Sequence, residues 1–167
     1  MKIIVCDFDG TICELAFQMY ENNIIPLEEK IRVMKQVRPM LMAREVFLRL
    51  RLEWRKEYKL VIITGRSEDC RKVSEEWLRR YNFRYDDLIM MEKSWETFEE
   101  YIQWKLEEIR ELNPVMVIDD SDKFFERLMD VILENNLMIA IHGIMNEDSW
   151  NYENIMRKIN IVNKYRE

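Results

Sequence analysis

Glycine, proline, cysteine and histidine are all scarce in this 167-residue chain, with three, three, three and one respectively. Three cysteines, Cys6, Cys13 and Cys70, are an odd number at a spacing that fits no zinc motif, so neither a disulfide framework nor a zinc site is expected. No apolar run approaches the roughly 18 residues of a membrane span. The opening segment, whose apolar run Asp7 interrupts, is not expected to act as a signal peptide. These absences predict a soluble, reduced, cytoplasmic protein. There is no Ser/Pro/Gly linker, repeat or low-complexity stretch, and the length suits one domain over 1–167. With 26 Lys and Arg against 32 Asp and Glu, the net charge of -6 argues against non-specific coating of nucleic acid or membrane. So rare a glycine is expected where the backbone turns tightly or approaches a ligand.

What is present is 48% hydrophobic and 35% charged, enough for a sizeable core. Short apolar runs alternate with amphipathic stretches. The runs Lys2–Cys6, Leu60–Ile63, Leu88–Met91, Val115–Ile118 and Leu137–Ile141 predict strands. The stretches 40–56, with Pro39 ahead, 67–81, 94–112, 124–134 and 150–165 predict helices, with Ser67 and Ser94 as N-caps. A shorter helix is expected over 27–37. Strands alternating with helices of this length predict a parallel sheet covered on both faces, an α/β three-layer sandwich. Ligands of such sheets bind beyond the carboxyl ends of the strands.

Three polar clusters fall at those ends: Asp7-Phe8-Asp9-Gly10-Thr11, Thr64-Gly65-Arg66 and Asp119-Asp120-Ser121-Asp122. Asp7, Asp9, Asp119 and Asp120 on one rim would repel one another unless a cation lay among them, and carboxylate oxygens suit Mg²⁺. The Thr64 hydroxyl and the backbone at Gly65, read as the start of a helix, suit a phosphate. An acidic cage beside an anion cradle points to phosphoryl chemistry. Arg66 could bind that phosphate or pair with a local carboxylate. His142, beside Gly143, reads as structural, and Arg66, Arg71 and Lys72 could form a basic lip.

Asp7-Phe8-Asp9-Gly10-Thr11 after a hydrophobic strand resembles the first signature of the haloacid dehalogenase (HAD) superfamily of phosphatases. Ile63-Thr64-Gly65-Arg66 resembles the second, and Ile118-Asp119-Asp120 the fourth, in its paired-acid form. The third is a lone lysine. About 10 Å of helix from Lys105 to Leu112 and about 13–16 Å of antiparallel return along Val115–Asp119 bring Lys105 back to the rim. Lys93, directly after the third strand, is its rival. The resemblance implies a HAD-like Rossmannoid sheet and a Mg²⁺-dependent phosphatase. Asp7 would be the nucleophile and Asp9 the general acid and base. Thr64, Gly65, Arg66 and Lys105 would hold the phosphoryl group. Asp7, the Asp9 backbone carbonyl, Asp120 and Asp119 would hold Mg²⁺. Only a flap or miniature cap over 13–38 is available to cover the site. The capless plan bears some likeness to the 3′-phosphatase domain of polynucleotide kinases, which implies a nucleotide or nucleic-acid end as substrate. The alternative is a phosphate-binding or regulatory module without catalysis on the same fold.

Overall fold

A computed structural model describes residues 1–15 and 25–166. Five parallel strands form one sheet: β1 (Lys2–Asp7), β2 (Tyr58–Ser67), β3 (Asp87–Met91), β4 (Met116–Asp119) and β5 (Ala140–Gly143), in the order β3-β2-β1-β4-β5. The helices are α1 (Leu27–Gln36), α2 (Leu41–Trp54), α3 (Arg71–Arg80), α4 (Phe98–Leu112), α5 (Asp122–Asn135) and α6 (Tyr152–Arg166). Alternate strand residues feed opposite faces. Ile4, Cys6, Leu60 and Ile62 pack with Phe47, Trp77, Trp150 and Ile155 on one face. Val5, Val61, Ile63 and Val117 pack with Ile102, Leu106, Ile109 and Phe124 on the other. The α/β three-layer sandwich is therefore the observed architecture. The chain builds outward from β1 to β3 and then returns to β4 on the other flank of β1. This reversal opens a crevice at the carboxyl ends of β1 and β4.

Several element boundaries differ from the sequence expectation, each for a local reason. β2 continues through Gly65 to Ser67, so Thr64 and Gly65 lie in extended chain and not at a helix start. A 3₁₀ turn over Glu68–Cys70 then precedes α3, and Ser67 makes no side-chain capping bond. The N-cap of α4 is Thr97, whose hydroxyl accepts from Glu100 N at 3.2 Å, the spacing of a Thr-x-x-Glu start. Ser94, three residues earlier, instead lies 3.4 Å from the Ser67 hydroxyl. α2 begins at Leu41, after Pro39 has formed an isolated bridge with Cys13. β5 starts only at Ala140, because Leu137 N is spent on Ile132 O at 2.9 Å in closing α5. Of the flap expected over 13–38, residues 16–24 lie outside the described residues; the described remainder includes α1, which packs inward through Met34.

The scarcity of glycine shows in the turns. Three asparagines, Asn82, Asn113 and Asn136, take the positive-φ positions, two of them ending α4 and α5. Gly10 alone among the described glycines has positive φ, at +82°. A Cβ there would lie 2.3 Å from Asp120 Oδ2, so that position demands glycine both for its conformation and for the approach of Asp120.

Candidate active site

β1 ends at Asp7, whose buried carboxylate is gripped from three sides. Its Oδ1 accepts from Lys105 Nζ at 2.6 Å and from Tyr101 Oη at 3.2 Å, and its Oδ2 accepts from Thr11 Oγ1 at 3.1 Å. Lys105 is 1% exposed. Its three N–H groups all find acceptors: Asp7, Asp119 Oδ2 at 2.5 Å and Tyr101 Oη at 2.8 Å. Of the two candidate lysines, Lys105 reaches the rim from the third turn of α4, while Lys93 is exposed beyond β3.

Asp119 ends β4. Its other oxygen accepts from Ser121 N at 2.9 Å. Asp120 is half-buried and its Oδ1 lies 3.1 Å from Thr11 Oγ1. Carboxylate oxygens of Asp7, Asp119 and Asp120 come within 4.8 Å of one another. Three carboxylates therefore face a single ammonium. Burial pushes the Asp7 carboxyl up to about 8, against the pull of Lys105 and with help from Asp119 and Asp120. Burial, then Asp119, pushes Asp120 up to about 6. Burial pulls Lys105 down, but Asp119 and Asp7 outweigh it and hold the ammonium well above the ordinary lysine value. Tyr101 is raised by burial and by Asp7, so its hydroxyl keeps its proton and donates. An all-oxygen donor set with surplus negative charge fits a hard divalent cation such as Mg²⁺.

Asp9 is held differently. Arg66 Nε donates to its Oδ2 at 2.8 Å and Nη2 to its Oδ1 at 2.5 Å, a bidentate pair 3% and 6% exposed. Arg66 Nη1 donates to Ser74 at 3.0 Å, and its guanidinium lies 3.9 Å above the Phe8 ring. Of the two roles open to Arg66, the structure shows the pairing with a local carboxylate, Asp9. The Asp9 carboxylate, so committed, is not among the three that cluster. Arg71, expected in a basic lip, pairs with Glu68 and Glu75.

Thr64 is buried, with its hydroxyl 3.5 Å from Asp9 Oδ2 and accepting from Arg66 N at 3.2 Å. Asp7, Asp9, Thr64, Gly65, Asp119 and Asp120 border one cavity of about 260 Å³. His142 lies elsewhere, its Nε2 2.8 Å from Ser149 O, where it anchors the 3₁₀ turn Glu147–Ser149.

Sequence reasoning missed Tyr101 and Thr11. Tyr101 stands one turn before Lys105 on the same face of α4, a signal available once Lys105 had been aimed at the rim. By helical spacing Trp95 and Phe98 fall in one stripe with Ile102, Leu106 and Ile109. Instead they border the cavity, and Phe98 is 40% exposed.

No family model and no curated protein matches the sequence. Solved structures do match. The HAD domain of effector protein Lem4 from Legionella pneumophila, as an inactive mutant, is 14% identical with a TM-score of 0.61, over 99% of this chain and 97% of that one. A second structure of that domain gives the same identity and score over 96% of each chain. A chain of the Pnkp1/Rnl/Hen1 complex is 21% identical with a TM-score of 0.56, over 86% of this chain but only 46% of that chain's length. At such identities the likeness is one of fold, and the fold of this protein is that of the HAD domain.

Proposed function

We propose that the protein is a Mg²⁺-dependent phosphatase that hydrolyses a phosphomonoester through an aspartyl-phosphate. The observation that carries this reading is the convergence of Asp7, Asp9, Thr64 and Lys105 on one cavity, with the acidic trio at its edge. An Asp7 oxygen would bond to phosphorus as the bond to the alcohol oxygen breaks; Asp9, ionised in its pair with Arg66, would take up a proton from solvent as substrate binds and give it to that oxygen. Water would then attack phosphorus and lose a proton to Asp9, breaking the bond to Asp7 and releasing inorganic phosphate. Lys105 would orient Asp7 and neutralise charge, and Thr64 and the Gly65 backbone would hold phosphoryl oxygens. Arg66 would fix the direction of Asp9. Asp7, Asp120, Asp119 and the Asp9 carbonyl would hold Mg²⁺, with Asp120 the more accessible of the paired acids. Mg²⁺ would screen the repulsion between a carboxylate and a dianionic phosphate.

The likeness to a chain of an RNA repair complex makes a nucleotide or nucleic-acid end one candidate alcohol, against which the net charge of -6 weighs. A non-catalytic phosphate-binding module would have no need of both Asp7 and Asp9, and this chain has both. The test is hydrolysis of p-nitrophenyl phosphate with Mg²⁺ and with EDTA, wild type beside Asp7→Asn. Turnover that needs Mg²⁺ and Asp7 supports the reading. Turnover surviving in Asp7→Asn refutes the nucleophile. Phosphate binding without turnover on any phosphomonoester would favour the binding module.

A further inference from the structure

The cavity above Asp7 has two unlike halves. One is the polar floor already described. The other is a wall of Leu15, Trp95, Phe98 and Tyr101. Three of these are aromatic and belong to α4 or the loop that leads into it. Trp95 and Tyr101 lie nearly parallel, 24° apart with centroids at 5.9 Å, and Phe98 meets both at 6.3 Å and 5.8 Å. The wall starts at the reacting carboxylate itself, since Tyr101 Oη touches Asp7. It also presses against the other side of the site: a Cβ at Gly65 would lie 2.8 Å from the Tyr101 ring and 3.1 Å from Trp95 Nε1. Packing of α4 does not require Phe98 there, because Ile102, Leu106 and Ile109 supply its buried stripe.

We infer that the alcohol part of the substrate is a single planar aromatic ring joined to the phosphate directly or through one methylene, seated against Trp95 and Phe98. This rests on the phosphatase reading above and names its substrate class. Two observations select the ring. Apolar surface begins next to the phosphoryl position, where a nucleotide would place a sugar with its hydroxyls. The enclosed part of the cavity, about 260 Å³ just below the roughly 300–1,000 Å³ of larger-ligand sites, also matches a single ring beside a phosphate. Offset or edge-on contact with Trp95 and Phe98 would reward a flat ring over a puckered one of the same size.

Benzyl phosphate and cyclohexylmethyl phosphate test this, since both release a primary alcohol of similar size and differ in planarity. The expected kcat/KM ratio in the wild type is about five- to tenfold in favour of benzyl phosphate. In Phe98→Ala, and separately in Trp95→Ala, the ratio should fall toward one. Equal values in the wild type, a ratio kept by both variants, or a higher kcat/KM for adenosine 5′-monophosphate would overturn the inference. If no phosphomonoester is turned over, the phosphatase reading fails by itself. Calorimetry with phenylphosphonate and methylphosphonate then decides the ring site: tighter binding of the phenyl compound, lost in Phe98→Ala, supports it, and equal binding overturns it.

Discussion

Asp7 and Asp9 stand two residues apart, yet their surroundings differ in charge balance. Asp9 receives both arms of the Arg66 guanidinium, a rigid fork whose charge matches its own. Asp7 shares Lys105 with Asp119, and Asp120 stands close by with no cation of its own among the described contacts. One region is complete as folded. The other is short of positive charge and held by a point charge with three rotatable donors. Under the proposed function the contrast would separate two tasks, a proton carrier that must keep its aim and a nucleophile that must accept added cations and an incoming anion.

The largest test of this contrast is Asp7→Asn, which should lower turnover by on the order of 10⁴-fold or more with the circular dichroism spectrum unchanged. Next is Lys105→Met, which strands two buried carboxylates. It should cost about 3–5 kcal/mol in urea unfolding and lower kcat by about 10²–10³-fold. Arg66→Lys keeps the charge and loses the fork. A fall in kcat of about ten- to a hundredfold is expected, with little change in KM. Should it match Lys105→Met in stability loss, the distinction between a balanced and an under-balanced region collapses.

The pH dependence sharpens the same contrast. Asp7 near 8 and Asp120 near 6 bind more protons folded than unfolded. Without divalent cations, stability should therefore decline as pH rises from about 4 to about 8, the sign opposite to that of a salt-bridged carboxylate. At pH 8, Mg²⁺ at about 100 times its Kd should raise Tm by about 5–10 °C, and at pH 5, where protons compete, by much less. Equal shifts at both pH values would dissociate the acidic trio from the cation. The smallest effect should come from Lys93→Ala, within about 0.5 kcal/mol and with kcat unaltered.

The sequence made legible those residues whose position follows from strand ends. Asp7, Thr64, Asp119 and Asp120 lie where parallel apolar runs stop, and the sheet order then decides their company. Lys105 followed from lengths of helix and strand. Side-chain direction was less readable. Arg66 stands two residues after Thr64 in extended chain and so shares its side, but nothing local told a phosphate from the Asp9 carboxylate. The starts of α3 and α4 were misjudged because Ser67 and Ser94 are good caps in isolation. The tertiary contact between them and the Thr97 hydroxyl cap decided otherwise. Trp95 and Phe98 fit a core stripe by periodicity, and only the packing of α4 against β2 turns them to the cavity.

The three strands that carry the site, β1, β2 and β4, are neighbours in space, but their working residues are drawn from positions 7, 64 and 119. Parallel pairing offers no hairpin by which they could meet locally. Catalytic competence should therefore return in refolding only once β1 has been joined on both sides, however early α4 or α5 forms. Turnover would then be a clock for the slowest long-range pairing in the chain, and isolated fragments carrying one or two of the motifs should be inert.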